Sequence, residues 1–465
     1  MRAGILVAMA AAMLGCGRSN GVRNQTGAAG NAVGGAGGGV AGAGGGADAG
    51  GGSAGGGAGA LGIAGAGGAA GSAGTGGSAG AAGSSDSAGA GGSAGGAAGS
   101  AGGGAGAGGG GGAPSQPLDM NDVTILVPLP KSTAAPVLLN GGTLADDGTA
   151  MVPRTLVDRL AKTDLGLPSD LYNRLQLVAV RFDLCDRHLP GACPEDEDAR
   201  MRLVFQPIVD PPAALDVGFH AFYAIRNDEI AGAVAALREL AGIAPPQAGA
   251  LRVSPALSAA DPEPYAGKLR AFVKRYGGDA RIVRLTMNAQ SFVSNALRWV
   301  LRGAEKQGDA FVDIPIVGTS DTSQSIVLAG NPSYSVTPMT DTPPGLLGAI
   351  TMTTFVNADE AKQRDYLAAL AAADNPMSHT AETVACVACH VSTVIMSART
   401  GASIDPLTLP GRYTSKFDLS IANGNSAQTT TTLRAFGYLR TQPMISQRVV
   451  NDTAQTLTEI EARYP

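Results

Sequence analysis

The chain has 465 residues, of which 15% are charged and 4% aromatic, and its formal net charge is −5. Three arginines and two aspartates fall in the first 117 residues, so the remainder carries 30 basic and 36 acidic residues. A mildly acidic balance of this kind argues against a nucleic-acid partner, because such binding rests on clustered basic charge.

The chain opens MRAGILVAMAAAMLGC. One arginine precedes an apolar run from Ile5 to Leu14, which is short of the roughly 20 residues that span a bilayer and reads as a signal peptide over 1–15. The Leu14-Gly15-Cys16 ending resembles the lipobox of bacterial lipoproteins, with Met13 where leucine is usual. That resemblance implies lipidation at Cys16 and anchoring to a membrane of the cell envelope, facing the periplasm or the cell surface, since acyl chains hold a protein there. The alternative is an ordinary cleaved signal followed by a free cysteine.

Residues 16–117 form the next segment. From Gly27 to Ala113 it is almost entirely Gly, Ala and Ser, holding 43 of the 69 glycines and no aromatic residue. So little apolar surface cannot offset chain entropy, and a disordered tether is expected. Its 87 residues give an r.m.s. reach of roughly 50 Å. Gly-x-Ser-x-Gly matches at Gly51, Gly76 and Gly91 carry no meaning, because no strand precedes and no helix follows them.

All 20 aromatics and all four histidines lie beyond this tether. Residues 118–352 read as an α+β domain of unassigned role. "VTILVP" from Val123 is a strand. "QLVAVRFDL" alternates Val178, Val180, Phe182 and Leu184 with Ala179, Arg181 and Asp183, the period of a half-buried strand. "MRLVFQPIV" follows the same habit. Cys185 and Cys193 bracket the loop between these strands and are expected to form a disulfide; His188 within it reads as a solvated loop residue.

"NDEIAGAVAALRELAG" puts Ile230, Val234, Leu237 and Leu240 on one helical face, capped by Asn227 or Asp228 and stopped at Gly242. "LRVSP" is a short strand. "PEPYAGKLRAFVKRYGG" is a helix with Leu269, Phe272, Val273 and Tyr276 on its stripe. "RIVRLTMN", "FVDIPIV" and "SQSIVLAG" read as strands, and "GAEKQGD" from Gly303 as a turn. His220, among apolar residues, reads as structural.

Residues 353–465 carry the one constellation with clear chemistry. A helix over about Asp359 to Ala373 ends at Asn375-Pro376 and leads into Cys386-Val-Ala-Cys389-His390. Two cysteines on one helical turn can form thioethers to the two haem vinyl groups, and the adjacent histidine then falls beneath the iron, so the pattern is that of c-type haem attachment. Zinc is a weaker reading, since it takes four ligands and a second cysteine pair is lacking. A thioredoxin-like redox pair would need a strand before Cys386. A structural Cys386–Cys389 disulfide stays open.

With its leading helix, its motif and a final helix over "SQRVVNDTAQTLTEIEARY", this region resembles a class I cytochrome c, which implies a small, mostly α-helical haem domain. The resemblance places Met444, on the loop "RTQPMISQ", as the second iron ligand; His379 or an open position are the alternatives. It implies an exported electron-transfer protein with haem c, a redox partner protein and an N-terminal lipid. The competing reading is a cofactor-free binding or structural lipoprotein.

Overall fold

A computed structural model describes residues 117–185, 197–245, 249–293, 296–330, 333–380, 383–400, 408–421, 433 and 435–465. All of them fall in one compact unit. Cys16, His188 and Cys193, and the tether, lie outside the described residues.

Ten strands form one sheet: β1 (Thr124–Leu126), β2 (Leu175–Leu184), β3 (Glu197–Val209), β4 (Ala213–Ala214), β5 (Val217–Arg226), β6 (Ile282–Val293), β7 (Ala296–Gln307), β8 (Ala310–Asp313), β9 (Ser323–Gly330) and β10 (Ser333–Thr337). Their order is β1-β2-β3-β5-β6-β7-β9-β10, with β4 on β3 and β8 on β7. Every pairing among them is antiparallel. Two strands, β11 (Phe436–Leu439) and β12 (Gln442–Ile445), make a separate hairpin.

The helices are α1 (Met120–Val123), α2 (Arg154–Ala161), α3 (Ile230–Ile243), α4 (Glu263–Tyr276), α5 (Leu346–Ile350), α6 (Met352–Asn357), α7 (Glu360–Ala373), α8 (Cys386–Arg399) and α9 (Gln447–Arg463). The expected small, mostly α-helical cytochrome c-like domain over 353–465 is therefore corrected. α9 packs on α1 and β2, α8 on β9, and β11 on β2, β3 and β4, so this stretch is built onto the large antiparallel sheet.

The central strands are buried on both faces. Leu203, Phe205, Ala221, Tyr223, Leu285 and Met287 alternate with Arg202, Val204, Phe222, His220, Arg284 and Thr286, and all of them are buried. β2 is likewise buried along nearly its whole length, and Arg181, expected on a solvated face, is 3% exposed. It survives there through pairing. Arg181 binds Asp183, which binds Arg202 at 3.0 Å. The Arg202 guanidinium lies 4.6 Å from the centre of the Phe222 ring, Arg284 lies 5.8 Å from the same ring, and Arg284 pairs with Glu305 at 3.4 Å. In register, Arg181 opposes Arg202, Arg202 opposes Phe222, Phe222 opposes Arg284 and Arg284 opposes Glu305. One row of charge thus crosses five strands inside the protein.

Other expectations shift locally. "LRVSP" contributes only isolated bridges at Leu251 and Val253. Residues Asn227–Glu229 form a 3-10 turn ahead of α3, and neither Asn227 nor Asp228 is the cap. "GAEKQGD" is strand through Gln307, and Gly308, at φ 60°, and Asp309 make the turn.

At α1, the Asp119 N–H donates to Asp122 and the Asn121 N–H to Asp119, at 2.8 and 2.7 Å. Burial, opposed by the hydrogen bond from Asp119, pushes the Asp122 carboxyl up to about 7. The folded chain then keeps a proton that the unfolded chain releases near pH 4. Its stabilising contribution is complete below about pH 4 and is lost as pH rises through about 7. Asp122→Asn should flatten the unfolding free energy between these limits in urea titrations. An unchanged slope would assign the pH dependence elsewhere.

Candidate functional site

α8 begins at Cys386 itself, with Ala385 at the cap position and no side-chain cap from that residue. Gln324 on β9 serves instead: its Oε1 accepts from the Val387 N–H at 2.8 Å while its Nε2 donates to Pro338 at 2.9 Å. One of the helix's four open amide donors is satisfied from the sheet, which fixes the first turn in place.

Cys386, Cys389 and His390 all lie in this buried first turn and a half. His390 is 0% exposed. Its Nδ1 lies 2.7 Å from the Leu433 carbonyl oxygen. A carbonyl only accepts, so Nδ1 carries the proton and Nε2 presents a lone pair. Among the described residues no group satisfies Nε2. Burial, opposed by the Leu433 hydrogen bond, holds the imidazole down at about 4, so it is neutral across the physiological range. A neutral ring whose proton-bearing nitrogen is anchored to a backbone carbonyl and whose other nitrogen is unspent is the arrangement of a metal-ligating histidine.

The cysteines differ from each other. Cys389 is a buried free cysteine, and burial pushes its thiol up to about 12, which keeps it protonated. Cys386 is disulfide-bonded. The two are therefore not joined to one another, contrary to the structural-disulfide alternative. An Nε2 without a partner among the described residues is what an axial iron ligand would need, while Cys386 would have to be reduced before it could form a thioether, and all three residues are at most 2% exposed.

Met444 is not on a loop. It is buried on β12 opposite Gly437, in a hairpin whose first strand packs on β2, β3 and β4, whereas α8 packs chiefly on α5, α7, α9 and β9. His379 is half-buried, with Nδ1 3.4 Å from Thr383 Oγ1, and its carbonyl accepts from Arg448 at 2.7 Å. Burial and the Arg448 charge lower its pKa. Cys185 is buried and disulfide-bonded. His220 is fully buried on β5, opposite Val204 and Thr286. Among the described residues no group of three or more His, Cys, Asp or Glu side chains could hold a metal ion, and no helix is long and apolar enough to cross a membrane.

Sequence reasoning missed the charges that surround this turn. Arg448 on α9 is buried, pairs with Asp452 at 2.7 Å, and donates to the carbonyls of Ala373 at 2.8 Å and His379 at 2.7 Å. Asp452 also meets Arg181 at 3.2 Å, which joins α9 to the charged row of the sheet. The signal was present in "VRFDL", "MRLVF" and "IVRLTMN", where arginine interrupts each apolar strand. Also missed were Thr286, Asn288 and Trp299, all buried, whose Oγ1, amide and Nε1 groups have no partner among the described residues.

No protein-family model, curated protein or solved structure matches the chain.

Proposed function

We propose that the chain is an exported, lipid-anchored haem c protein that transfers electrons, with Cys386 and Cys389 as the attachment residues and His390 as an axial ligand. The observation that carries this reading is the His390 imidazole, fully buried, anchored through Nδ1 and unpartnered at Nε2. Haem bound there supplies a one-electron couple. The chain supplies the rest. The Leu433 carbonyl orients the ring and raises the basicity of Nε2. Gln324 fixes the start of the helix that carries all three residues. Burial keeps the imidazole neutral and so able to act as a ligand. Lipidation at Cys16 and the long tether give the haem its reach from the membrane, toward a redox partner protein.

The disulfide at Cys386 favours a second reading: a cofactor-free binding or structural lipoprotein of the cell envelope. Full-length protein made in a bacterial envelope together with the haem-attachment machinery separates the two. On the first reading haem stays with the chain after denaturation and acid-acetone extraction, and Cys386→Ser/Cys389→Ser abolishes it with the circular dichroism spectrum unchanged. A colourless, folded chain whose peptide map retains a disulfide at Cys386 overturns the haem reading.

A further inference from the structure

A cavity of about 310 Å³ lies between α7, α8 and α9, and the exposed Arg412 is part of its lining. That volume is at the lower end of the range for small-molecule pockets. The backbone on either side of Arg412 is pinned. Gly411 turns at φ 82°, and its carbonyl accepts from Asn375 Nδ2 at 2.8 Å. A Cβ at Gly411 would stand 3.5 Å from Ala372 Cβ, so this turn lies against α7. Tyr413 is buried, and its hydroxyl donates to Gln455 Oε1 on α9 at 3.1 Å.

Arg412 itself pairs with no acidic group among the described residues. Other arginines of this layer are committed. Arg448 gives its bonds to Asp452 and to the carbonyls of Ala373 and His379, and Arg399 donates to the carbonyls of Ala349 and Ile350. An unspent guanidinium is a planar fork that matches a carboxylate through two parallel N–H···O bonds.

The acceptors that would repel an anion here are occupied or withdrawn. Thr400 donates to the Met396 carbonyl from both its N–H and its Oγ1, at 3.0 and 2.8 Å. Asn451 Nδ2 donates to the backbone carbonyl of Asp374 at 2.8 Å. The Asp374 carboxyl accepts from Thr393 Oγ1 on Oδ2 at 3.1 Å, and its Oδ1 carries almost no accessible surface. Burial, against the opposing charge of Arg448, holds that carboxyl up at about 7. Among the described lining residues Arg412 alone is then fully charged near neutral pH. Ala371, Met396 and Leu419 give the cavity an apolar wall.

We propose that this cavity binds a monocarboxylate with a short aliphatic tail, its carboxylate held by the Arg412 guanidinium and its carbons against Ala371, Met396 and Leu419. The proposal is independent of haem, since it uses none of the three residues of the haem motif.

The test is calorimetric titration of the full chain with n-hexanoate, with n-hexanol and n-hexylammonium as the uncharged and oppositely charged counterparts. Hexanoate should bind most tightly of the three. Arg412 is exposed, so Arg412→Gln leaves the core intact, and it should weaken hexanoate by about 10- to 100-fold, the worth of a hydrogen bond between charged groups. Ser397 is exposed and also lines the cavity, so Ser397→Trp should block entry with the circular dichroism spectrum unchanged. Hexanol or hexylammonium binding as tightly as hexanoate, or no hexanoate binding at all, overturns the proposal. So does an unchanged affinity in Arg412→Gln, and an unchanged affinity in Ser397→Trp would place the ligand outside the cavity and overturn it as well.

Discussion

Arg448→Met should cost about 3–5 kcal/mol in unfolding free energy, the range for removing one member of a buried ion pair. The methionine fills similar volume but returns none of the bonds. It leaves Asp452 with Arg181 as its remaining charged partner and leaves the Ala373 and His379 carbonyls without their donor. Those carbonyls belong to the end of α7 and to the segment that leads into Cys386, so hydrogen exchange should accelerate there before it does in the sheet. Arg448→Met/Asp452→Leu should recover part of the loss, because the uncompensated charge goes with it. A loss below about 1 kcal/mol for the single variant would put this pair with solvent-exposed ion pairs.

Trp299→Ala should cost about 3–5 kcal/mol as well, by a different route. Trp299 is among the largest fully buried side chains, and its ring meets Tyr334 edge-on at 6.3 Å. The alanine leaves a cavity where β7 faces the α5–α8 region. Trp299→Phe should cost far less, since it keeps most of the ring and removes an N–H that is buried without an acceptor. Thermal and urea unfolding of the two variants measure the contrast. Equal costs would mean that Nε1 has a partner after all.

The parts of the fold that were legible are helices whose apolar stripe recurs at the helical period. Leu269, Phe272, Val273 and Tyr276 on α4, and Val450, Ala454, Leu457 and Ile460 on α9, are buried as their spacing predicts. β7 was invisible because its polar residues find partners across the sheet. Glu305 pairs with Arg284, and Arg298 reaches Ser325 and Asp164. Its Gly303 looked like a turn residue. The structure gives another reason for it: a Cβ there would stand 2.9 Å from Thr286 Cγ2 and 3.0 Å from Ile314 Cδ1, so neighbouring strands approach too closely for a side chain.

At the candidate site, five residues of sequence identified the attachment pattern but not its surroundings. Leu433 lies 43 residues beyond His390, and Gln324 lies 63 before Val387, distances over which spacing rules are silent. Pro443 made the Met444 segment look like a loop, yet proline is tolerated on the edge strand of a hairpin, where it sits opposite Tyr438. The cytochrome resemblance failed as a fold because a five-residue motif constrains one helical turn, and the large sheet beneath it follows from residues outside the motif.

The charged row across β2, β3, β5, β6 and β7 acts as a proofreading device for strand alignment. A slip of one residue turns every side chain to the opposite face. A slip of two keeps the face but displaces each charge from its partner by about 7 Å. Arg181, Arg202, Arg284 and Glu305 have no water to fall back on, so a misaligned sheet pays for unpaired buried ions at several strands together. Hydrophobic residues alone would tolerate such errors, because Leu, Val and Phe exchange places at small cost. These charges, and not the apolar side chains around them, are thus what distinguishes the correct sheet from its near copies.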